Sequence, residues 1–282
     1  MSHTEIMDTQ RVRQANTWRT THGDMSDVEW ELIADLVRPA WSPGKMGRPI
    51  THDRRTIVDA IFYVCATGCQ WRALPDRYPN WNTVHRYHLE WSKDGTWERV
   101  CDRLRTLVRE SEGRDADPSA GIIDARSVRG ASTVTSETRG YDAGKKISGR
   151  KVFGVVDTLG LLIAVLVVAA NTSDNAGGIA VIDNARPKSR RLRKIWCDAG
   201  FKREFARHCA HHHISAEVVN RIHANRFAVL PRRWVVERTW SWLTNNRRLQ
   251  IDYERDPQVT KGFVWAAHSR LLLRRLTQPT TP

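Results

Sequence analysis

Three acidic residues stand where they could share a metal ion. Asp124 ends a short apolar run in GIIDARSV, and Asp198 follows another in RKIWCDAGF. Glu237 lies in the helix-like stretch LPRRWVVERTWSWL. Carboxylate oxygens are the ligands that hard divalent cations prefer, and strand ends hold such ligands rigidly. The pattern predicts a metal site formed by Asp124, Asp198 and Glu237, although three unrelated solvated acids would also fit this spacing.

The chemistry open to such a site is metal-assisted phosphoryl transfer. Two Mg²⁺ or Mn²⁺ ions about 4 Å apart activate a water or a 3′-hydroxyl and stabilise the leaving oxygen. Arg233 lies one helical turn before Glu237 and shares its face. Arg248 would lie within about 20° of that face if the helix extended so far. An arginine at this position could bind a phosphate held beside the metal. Alternatively, it forms only a surface ion pair with Glu237.

The charge balance indicates a polyanionic partner. The 282 residues carry a formal net charge of +14 and a pI of about 10.1, which fits a partner with phosphates better than an acidic membrane face. The basic residues also cluster, as in RPKSRRLRK and GYDAGKKISGRK. From the second half of the chain we select these candidate DNA contacts: Lys145, Lys146, Arg150, Lys151, Arg247 and Arg248.

The polar first residues and the unpaired cysteines favour a cytoplasmic, nucleoid-associated protein. The first 24 residues are polar and do not form a secretory signal. The longest apolar run, LLIAVLVVAA, is too short to span a bilayer and is typical of a buried strand. The five cysteines are an odd number without paired spacing, so we expect free thiols in a reducing compartment.

The first half of the chain predicts helices. Residues 1–24 are expected to be a disordered extension, and Ser26 with Glu29 forms a capping box that starts a helix ending before Pro39. A loop at 42–49 precedes a second helix, and a third begins at Asn82 or Thr83. Residues 25–113 therefore predict a helical, helix-turn-helix-like DNA-binding domain or, equally, a helical bundle that only packs on its neighbour. The exposed DNA-contact candidates on the third helix are Arg86, His88 and Lys93.

The second half predicts a mixed α/β domain over residues 118–278. Val- and Ile-rich runs predict strands, and KVFGVVD–TLG–LLIAVLVV predicts a hairpin that turns at Thr158, Leu159 and Gly160. Helices are expected after Asp174 and Asp198 and around Glu237. A group of histidines could be a zinc site. However, side chains at consecutive helical positions cannot all face one metal ion. We therefore predict that these are ordinary exposed histidines. The group consists of His208, His211, His212, His213 and His223.

Six motifs, in order, resemble the DDE transposases of bacterial insertion sequences, insertion sequence family five, within the IS4-like superfamily. They are GCQWRALP, SAGIID, GYDAGKKI with GRK, VDTLGLL, W-DAGF and LPRRWVVERTWSWL. The resemblance extends from about Met25 to about Leu276. It implies a ribonuclease-H-like catalytic domain in which Asp124, Asp198 and Glu237 bind the metal. It also implies Mg²⁺-dependent cleavage at the element's ends and strand transfer by the freed 3′-hydroxyl. The helical domain would help to recognise the terminal inverted repeats, and the protein would form a homo-oligomer on DNA.

The chain departs from the family's pattern at several positions. The broader group has Tyr, Arg, Glu and Lys around the glutamate. Arg233 and Glu237 fit this signature, whereas Leu230 and Thr244 stand at the Tyr and Lys positions. The intact triad favours an active enzyme over a relative that only binds DNA or a plain metal-dependent nuclease. Further departures are Ala125-Arg126 for Ser-Gln, Phe201 for Tyr, and Ala176 for an acid.

Overall fold

The computed structural model describes residues 24–37, 52–219 and 233–278. The predictions for residues 1–23, the loop at 42–49, His223 and Leu230 lie outside these ranges. None of the helices in the described ranges is long and apolar enough to cross a membrane. The helices are α1 (Asp27–Glu31), α2 (Arg54–Thr67), α3 (Trp81–Lys93), α4 (Thr96–Ser111), α5 (Asp174–Ala185), α6 (Arg203–His211), α7 (Arg233–Thr244) and α8 (Pro257–Thr277). The strands are β1 (Ala120–Gly130), β2 (Gly140–Asp142), β3 (Ile147–Asp157), β4 (Leu162–Ala169), β5 (Lys194–Cys197), β6 (Ser215–Val218) and β7 (Ile251–Asp252).

A mixed sheet with β1 at its centre forms the middle layer. β1 pairs antiparallel with β3, and β3 pairs antiparallel with β4. On its other edge β1 pairs parallel with β5, and β5 pairs parallel with β6. The main order is therefore β4-β3-β1-β5-β6, and the short strands β2 and β7 pair with β3 and β1 near their ends. The predicted mixed α/β class is confirmed.

Helices cover both faces of the sheet, because successive strand residues point to opposite sides. On β1, Ile123 belongs to a core with α5 and α6, which includes Ile182 and Phe205. Its neighbour Ile122 faces the other side, in a larger core with α7, α8 and the N-terminal helices. Strands buried on both faces explain the nearly continuous apolar runs in the sequence.

Helix α8 joins the N-terminal helices to the sheet. It packs against α2, α3 and α4 on one side and against β4 on the other. Its Phe263 ring lies 4.0 Å from the His88 ring of α3, centroid to centroid, and its His268 accepts a hydrogen bond from the Leu162 amide of β4. The predicted boundary between residues 113 and 118 falls in the connection after α4, yet the hydrophobic core continues across it. Where the chain divides into domains stays a prediction.

Several local predictions are confirmed. Ser26 and Glu29 form the reciprocal bonds of a capping box at the start of α1. The β3–β4 hairpin turns at Thr158, Leu159 and Gly160, and Gly160 has a φ of 83°, which glycine adopts without strain. The N-terminal region is helical as predicted, although residues 68–80 make the link from α2 to α3 longer than a helix-turn-helix turn. The tight turn, Asp94-Gly95, lies between α3 and α4.

Asp59 on α2 holds the segment just before α1 in place. Its Oδ1 accepts the Met25 N–H at 2.8 Å, and the Arg55 guanidinium donates to the Met25 carbonyl. Arg270 of α8 completes the junction through bonds to Glu29 and to the Asp24 carbonyl. Burial raises the pKa of Asp59 to about 7, against the opposing effect of the Met25 hydrogen bond.

We expect Phe263→Ala to lower the free energy of unfolding by about 3–5 kcal/mol, because it empties a buried site between α8 and α3. If α8 joins both regions, chemical denaturation followed by tryptophan fluorescence and by circular dichroism will still give one coincident transition. Tyr141→Ala is the matched control, since Tyr141 is 57% exposed, and its expected effect is within about 0.5 kcal/mol. Two separated transitions in Phe263→Ala would show that the regions unfold independently.

The stability of the protein should depend on pH through Asp59. A carboxyl group whose pKa rises on folding binds more protons in the native state, so its contribution to stability falls as pH rises from about 4 to about 7. The penalty is about 1.4 kcal/mol for each pH unit across that window. Asp59→Asn keeps an acceptor for Met25 without the charge, so it should stabilise the protein at pH 8 and change little at pH 4. Equal effects of Asp59→Asn at both pH values, measured by urea denaturation, would contradict this account.

Candidate active site

The pairing of β1 with β5 places two of the predicted acids side by side. Ile122 is the Cα partner of Trp196 in this parallel pair. Asp124 and Asp198 lie two residues further along their respective strands, on the same face as these partners. Asp198 directly follows the end of β5, and its Oδ1 accepts the Gly200 N–H at 2.8 Å. A side chain at position 200 would collide with Asp174 and with Asp198, so the loop needs glycine there.

Helix α7 covers this face and brings the third acid. Trp240 packs against Gly154 of β3, where a Cβ would lie 2.9 Å from the indole, and its Nε1 donates to Asp124 Oδ2 at 3.0 Å. The Thr239 hydroxyl donates to the Gly160 carbonyl at 2.8 Å. These contacts set the position of α7 against the sheet. Glu237, with its side chain 59% exposed, is the most accessible of the three acids.

The Arg233 guanidinium lies between all three carboxylates. Its Nη2 is 3.8 Å from Asp124 Oδ1, 3.7 Å from Asp198 Oδ2 and 3.7 Å from Glu237 Oε1. The structure thus brings together the three predicted acids and the predicted arginine. A simple surface pair of Arg233 with Glu237 does not describe this arrangement, because the arginine is only 18% exposed and has three acidic neighbours.

The site keeps a negative character. Burial raises the pKa of Asp124 to about 6; Arg233 opposes this effect and Asp198 adds to it. With all four groups ionised, three carboxylates and one guanidinium leave a net charge of −2. The expectation that both aspartates lie at strand ends is wrong for Asp124, because β1 continues to Gly130. An all-oxygen donor set with excess negative charge, from the middle of β1, the residue after β5 and α7, still fits a hard divalent cation. The Arg233 Nε is buried and has no hydrogen-bond partner among the described residues.

The expectation that His88 is exposed is wrong. His88 is fully buried, and its Nδ1 accepts the Trp97 Nε1–H at 3.1 Å. Burial lowers the pKa of His88 to about 3, so the ring is a neutral core element. Arg86 and Lys93 do lie on the exposed side of α3, and Lys93 pairs with Asp256 at 3.2 Å.

Two of the four basic candidates around β3 are buried, which corrects the expected surface patch. Arg150 is fully buried and bonds to Asp252, Thr260 and two backbone carbonyls beside α8. Lys151 is 8% exposed and bonds to the Thr172 carbonyl and to Asp174. Both residues lie on a central strand, so their side chains point into the packed layers. Lys145 and Lys146, in the turn before β3, are exposed.

Arg248 does not share the face of Glu237, because α7 ends at Thr244. Its guanidinium bonds to Glu254 Oε1 at 2.6 and 3.0 Å and to the Cys69 carbonyl, and the residue is 9% exposed. It therefore holds the segment after β7 against the link that follows α2. Arg247, its neighbour, is exposed.

Sequence reasoning missed two residues that shape the site. Trp240 follows Arg233 by seven residues, which places both on one helical face about 20° apart, so this signal was present in the spacing. Gly200 has no comparable signal, because its role depends on the approach of Asp174 from α5.

Comparison with known proteins identifies the family of the chain. The family described as "Putative transposase of IS4/5 family" matches residues 25–101, and "Transposase DDE domain" matches residues 115–272, more than half of the chain. "Uncharacterized protein y4sN" of Sinorhizobium fredii is 32% identical over 105 residues, which cover 37% of this chain and 75% of that protein. "Putative transposase for insertion sequence element IS402" of Burkholderia cepacia is 29% identical over 124 residues, 41% of this chain and 59% of that protein. The chain belongs to the DDE transposases of the IS4/5 type, and its sheet is the ribonuclease-H-like fold of their catalytic domain.

Proposed function

We propose that this chain is the catalytically active transposase of an insertion sequence. It binds the terminal inverted repeats, cleaves DNA strands at the element's ends and joins the freed 3′-hydroxyl to target DNA. The observation that carries the proposal is the convergence of Asp124, Asp198 and Glu237 on one guanidinium. Such an arrangement suits phosphoryl transfer, in which closely placed carboxylates hold cations against a phosphate.

The three acids would have different roles, because they differ in position and exposure. Asp124 and Asp198 are fixed by the β1–β5 pair, by Trp240 and by the Gly200 amide, so they form the rigid part of the site. Glu237 is exposed and can approach a bound DNA strand without a change in the sheet. When bound, one or two Mg²⁺ or Mn²⁺ ions activate the attacking hydroxyl and stabilise the leaving oxygen.

Arg233 would have two successive partners. Without a cation it neutralises part of the repulsion among the three carboxylates, each within 4 Å. With a cation bound among the acids, the guanidinium would be free to pair with the scissile phosphate through two parallel hydrogen bonds. The unpartnered Arg233 Nε is one donor that such a phosphate could take.

The DNA would reach the acids across exposed basic residues. Lys145 lies close to the site, because its Nζ donates to the Ala125 carbonyl at 3.0 Å, and Lys146 follows it in the same turn. Arg86 and Lys93 on α3, with Arg247 after α7, supply further exposed cations. Since an insertion sequence has two ends, we propose that a homo-oligomer on nucleoid DNA holds both ends together.

Single replacements of the acids should separate catalysis from binding. We expect Asp124→Asn, Asp198→Asn and Glu237→Gln each to lower the single-turnover rate of cleavage of a repeat end in Mg²⁺ by at least about a hundredfold, because each removes a metal ligand. Gel shifts with the same duplex should show unchanged affinity. Glu204→Gln, on an exposed acid in the first turn of α6, is the matched control.

The other outcomes identify the alternatives. A wild-type protein that binds repeat ends without cutting in Mg²⁺ or Mn²⁺ would be the inactive relative. Cutting without transfer of labelled ends into a target plasmid would identify a plain nuclease. Full cleavage by any one acid variant would remove that residue from the site.

Replacement of Arg233 should show whether its positive charge and a bound cation substitute for each other among the three acids. Arg233→Gln leaves the three carboxylates without their shared positive charge, so saturating Mg²⁺ should raise the Tm of this variant more than that of the wild type. An added stabilisation of about 1 kcal/mol corresponds to about 2–4 °C. Arg238→Gln, on the same helix but stacked 4.4 Å from the Trp234 ring, should respond to Mg²⁺ as the wild type does. An equal Mg²⁺ response of Arg233→Gln and the wild type would contradict the proposed exchange.

A further inference from the structure

A second group of possible metal ligands lies away from the three acids. Asp183 stands near the end of α5, and His208 and His212 stand in and just after the last turn of α6. His208 Nε2 is 2.8 Å and His212 Nε2 is 3.8 Å from Asp183 Oδ1. The ligand atoms of these residues all lie within 4.8 Å of one another. The expectation of ordinary exposed histidines does not hold for His208 and His212, which are half-buried and share an acidic neighbour.

The geometry is close to that of a tetrahedral site. Ligand atoms bound at 2.0–2.1 Å to a tetrahedral Zn²⁺ lie about 3.3 Å apart, and the two Nε2–Oδ1 distances fall on either side of this value. Histidines four residues apart present their rings on one helical face, and the two rings here lie 4.7 Å apart, edge to face. Two imidazoles and one carboxylate form a ligand set that zinc uses with a fourth, water-filled position.

Nearby charged groups have opposite effects on metal binding by this cluster. The pKa of His212 is lowered by desolvation and then by Arg186, His208 and His211, which disfavours the protonated ring. Arg186 opposes a metal ion, because its Nη1 is 3.3 Å from His212 Nε2. Arg186 is exposed after the end of α5, so its side chain can turn into solvent when a metal ion binds.

The cluster and the three acids lie at opposite ends of the same two helices. Near their first turns, α5 and α6 are joined by the bond from the Lys202 amide to Asn175 Oδ1 at 2.7 Å, beside the loop that carries Asp198. Near their last turns, the bonds to Asp183 join them. With a rise of 1.5 Å per residue, about two to three helical turns separate the two ends. A metal ion at the cluster would thus fasten α5 to α6 without taking part in the chemistry at Asp198.

We propose that Asp183, His208 and His212 bind one divalent metal ion of the zinc class, which ties the ends of α5 and α6 together. The ligand set distinguishes this site from the oxygen-only site of the three acids, since imidazole selects Zn²⁺, Co²⁺ or Ni²⁺ over Mg²⁺. The proposal does not rest on the transposase activity.

The test is a Zn²⁺ titration of the full chain, without a histidine tag, against a chromophoric chelator. Excess Mg²⁺ is present throughout to occupy oxygen-only sites. We expect one equivalent of Zn²⁺ to bind. His208→Ala and His212→Ala should each weaken binding at least about tenfold. Co²⁺ in the same protein should give the strong visible absorption of a tetrahedral nitrogen and oxygen site, and His212→Ala should abolish it.

Two matched variants make the test specific. His211→Ala removes the ring that lies 4.9 Å from His212 but contributes no ligand, so its Zn²⁺ affinity should equal that of the wild type. Arg186→Ala removes the opposing cation and should bind Zn²⁺ more tightly. The proposal is overturned if the wild type binds no Zn²⁺, if a His208→Ala/His212→Ala double variant binds as the wild type does, or if His211→Ala loses as much affinity as His212→Ala.

Discussion

The parallel pairing of β1 with β5 is the constraint on which the candidate active site depends. Its register aligns Ile122 with Trp196 and so places Asp124 and Asp198 on one face, at neighbouring positions. Two carboxylates held this close repel each other unless a positive charge lies between them. Arg233 supplies that charge in the described structure, and a divalent cation would supply it during catalysis.

The position of α7 follows from the same constraint. The helix covers the face on which both aspartates lie, and Trp240 anchors it through Gly154 and through the bond to Asp124. Arg233 and Glu237 then reach the aspartates from one side of the helix. Helix α8 extends this packing to α2, α3 and α4 through one continuous core. Exposed basic residues on α3 are therefore held at a fixed distance from the acids, as the proposed cleavage at a set position in DNA would require.

The sequence predicted well what depends on local chemistry or on strand alternation. The capping box at Ser26, the hairpin turn at Gly160 and the mixed α/β class each follow from a short stretch of residues. Their residue types, their apolar flanks and the resemblance to DDE transposases point to the three acids. Their convergence could not be read from these features, because it depends on the β1–β5 register and on the docking of α7.

The wrong predictions concern the exposure of single polar side chains. Arg150, Arg248 and His88 were expected at the surface, yet each is buried with specific partners from distant parts of the chain, Asp252, Glu254 and Trp97. The local sequence around a basic residue does not show whether that residue will be buried in an ion pair with a carboxylate from a distant part of the chain. The same holds for His208 and His212, whose common neighbour Asp183 lies on another helix.

Anomalous diffraction from crystals of the full chain grown with Mn²⁺ tests the central claim most directly. The account predicts a Mn²⁺ peak within coordination distance of carboxylate oxygens of Asp124 and Asp198, with the Arg233 guanidinium displaced from its place between the three acids. Mn²⁺ found only elsewhere, with Arg233 still between the carboxylates, would contradict the assignment of these acids as the catalytic metal site.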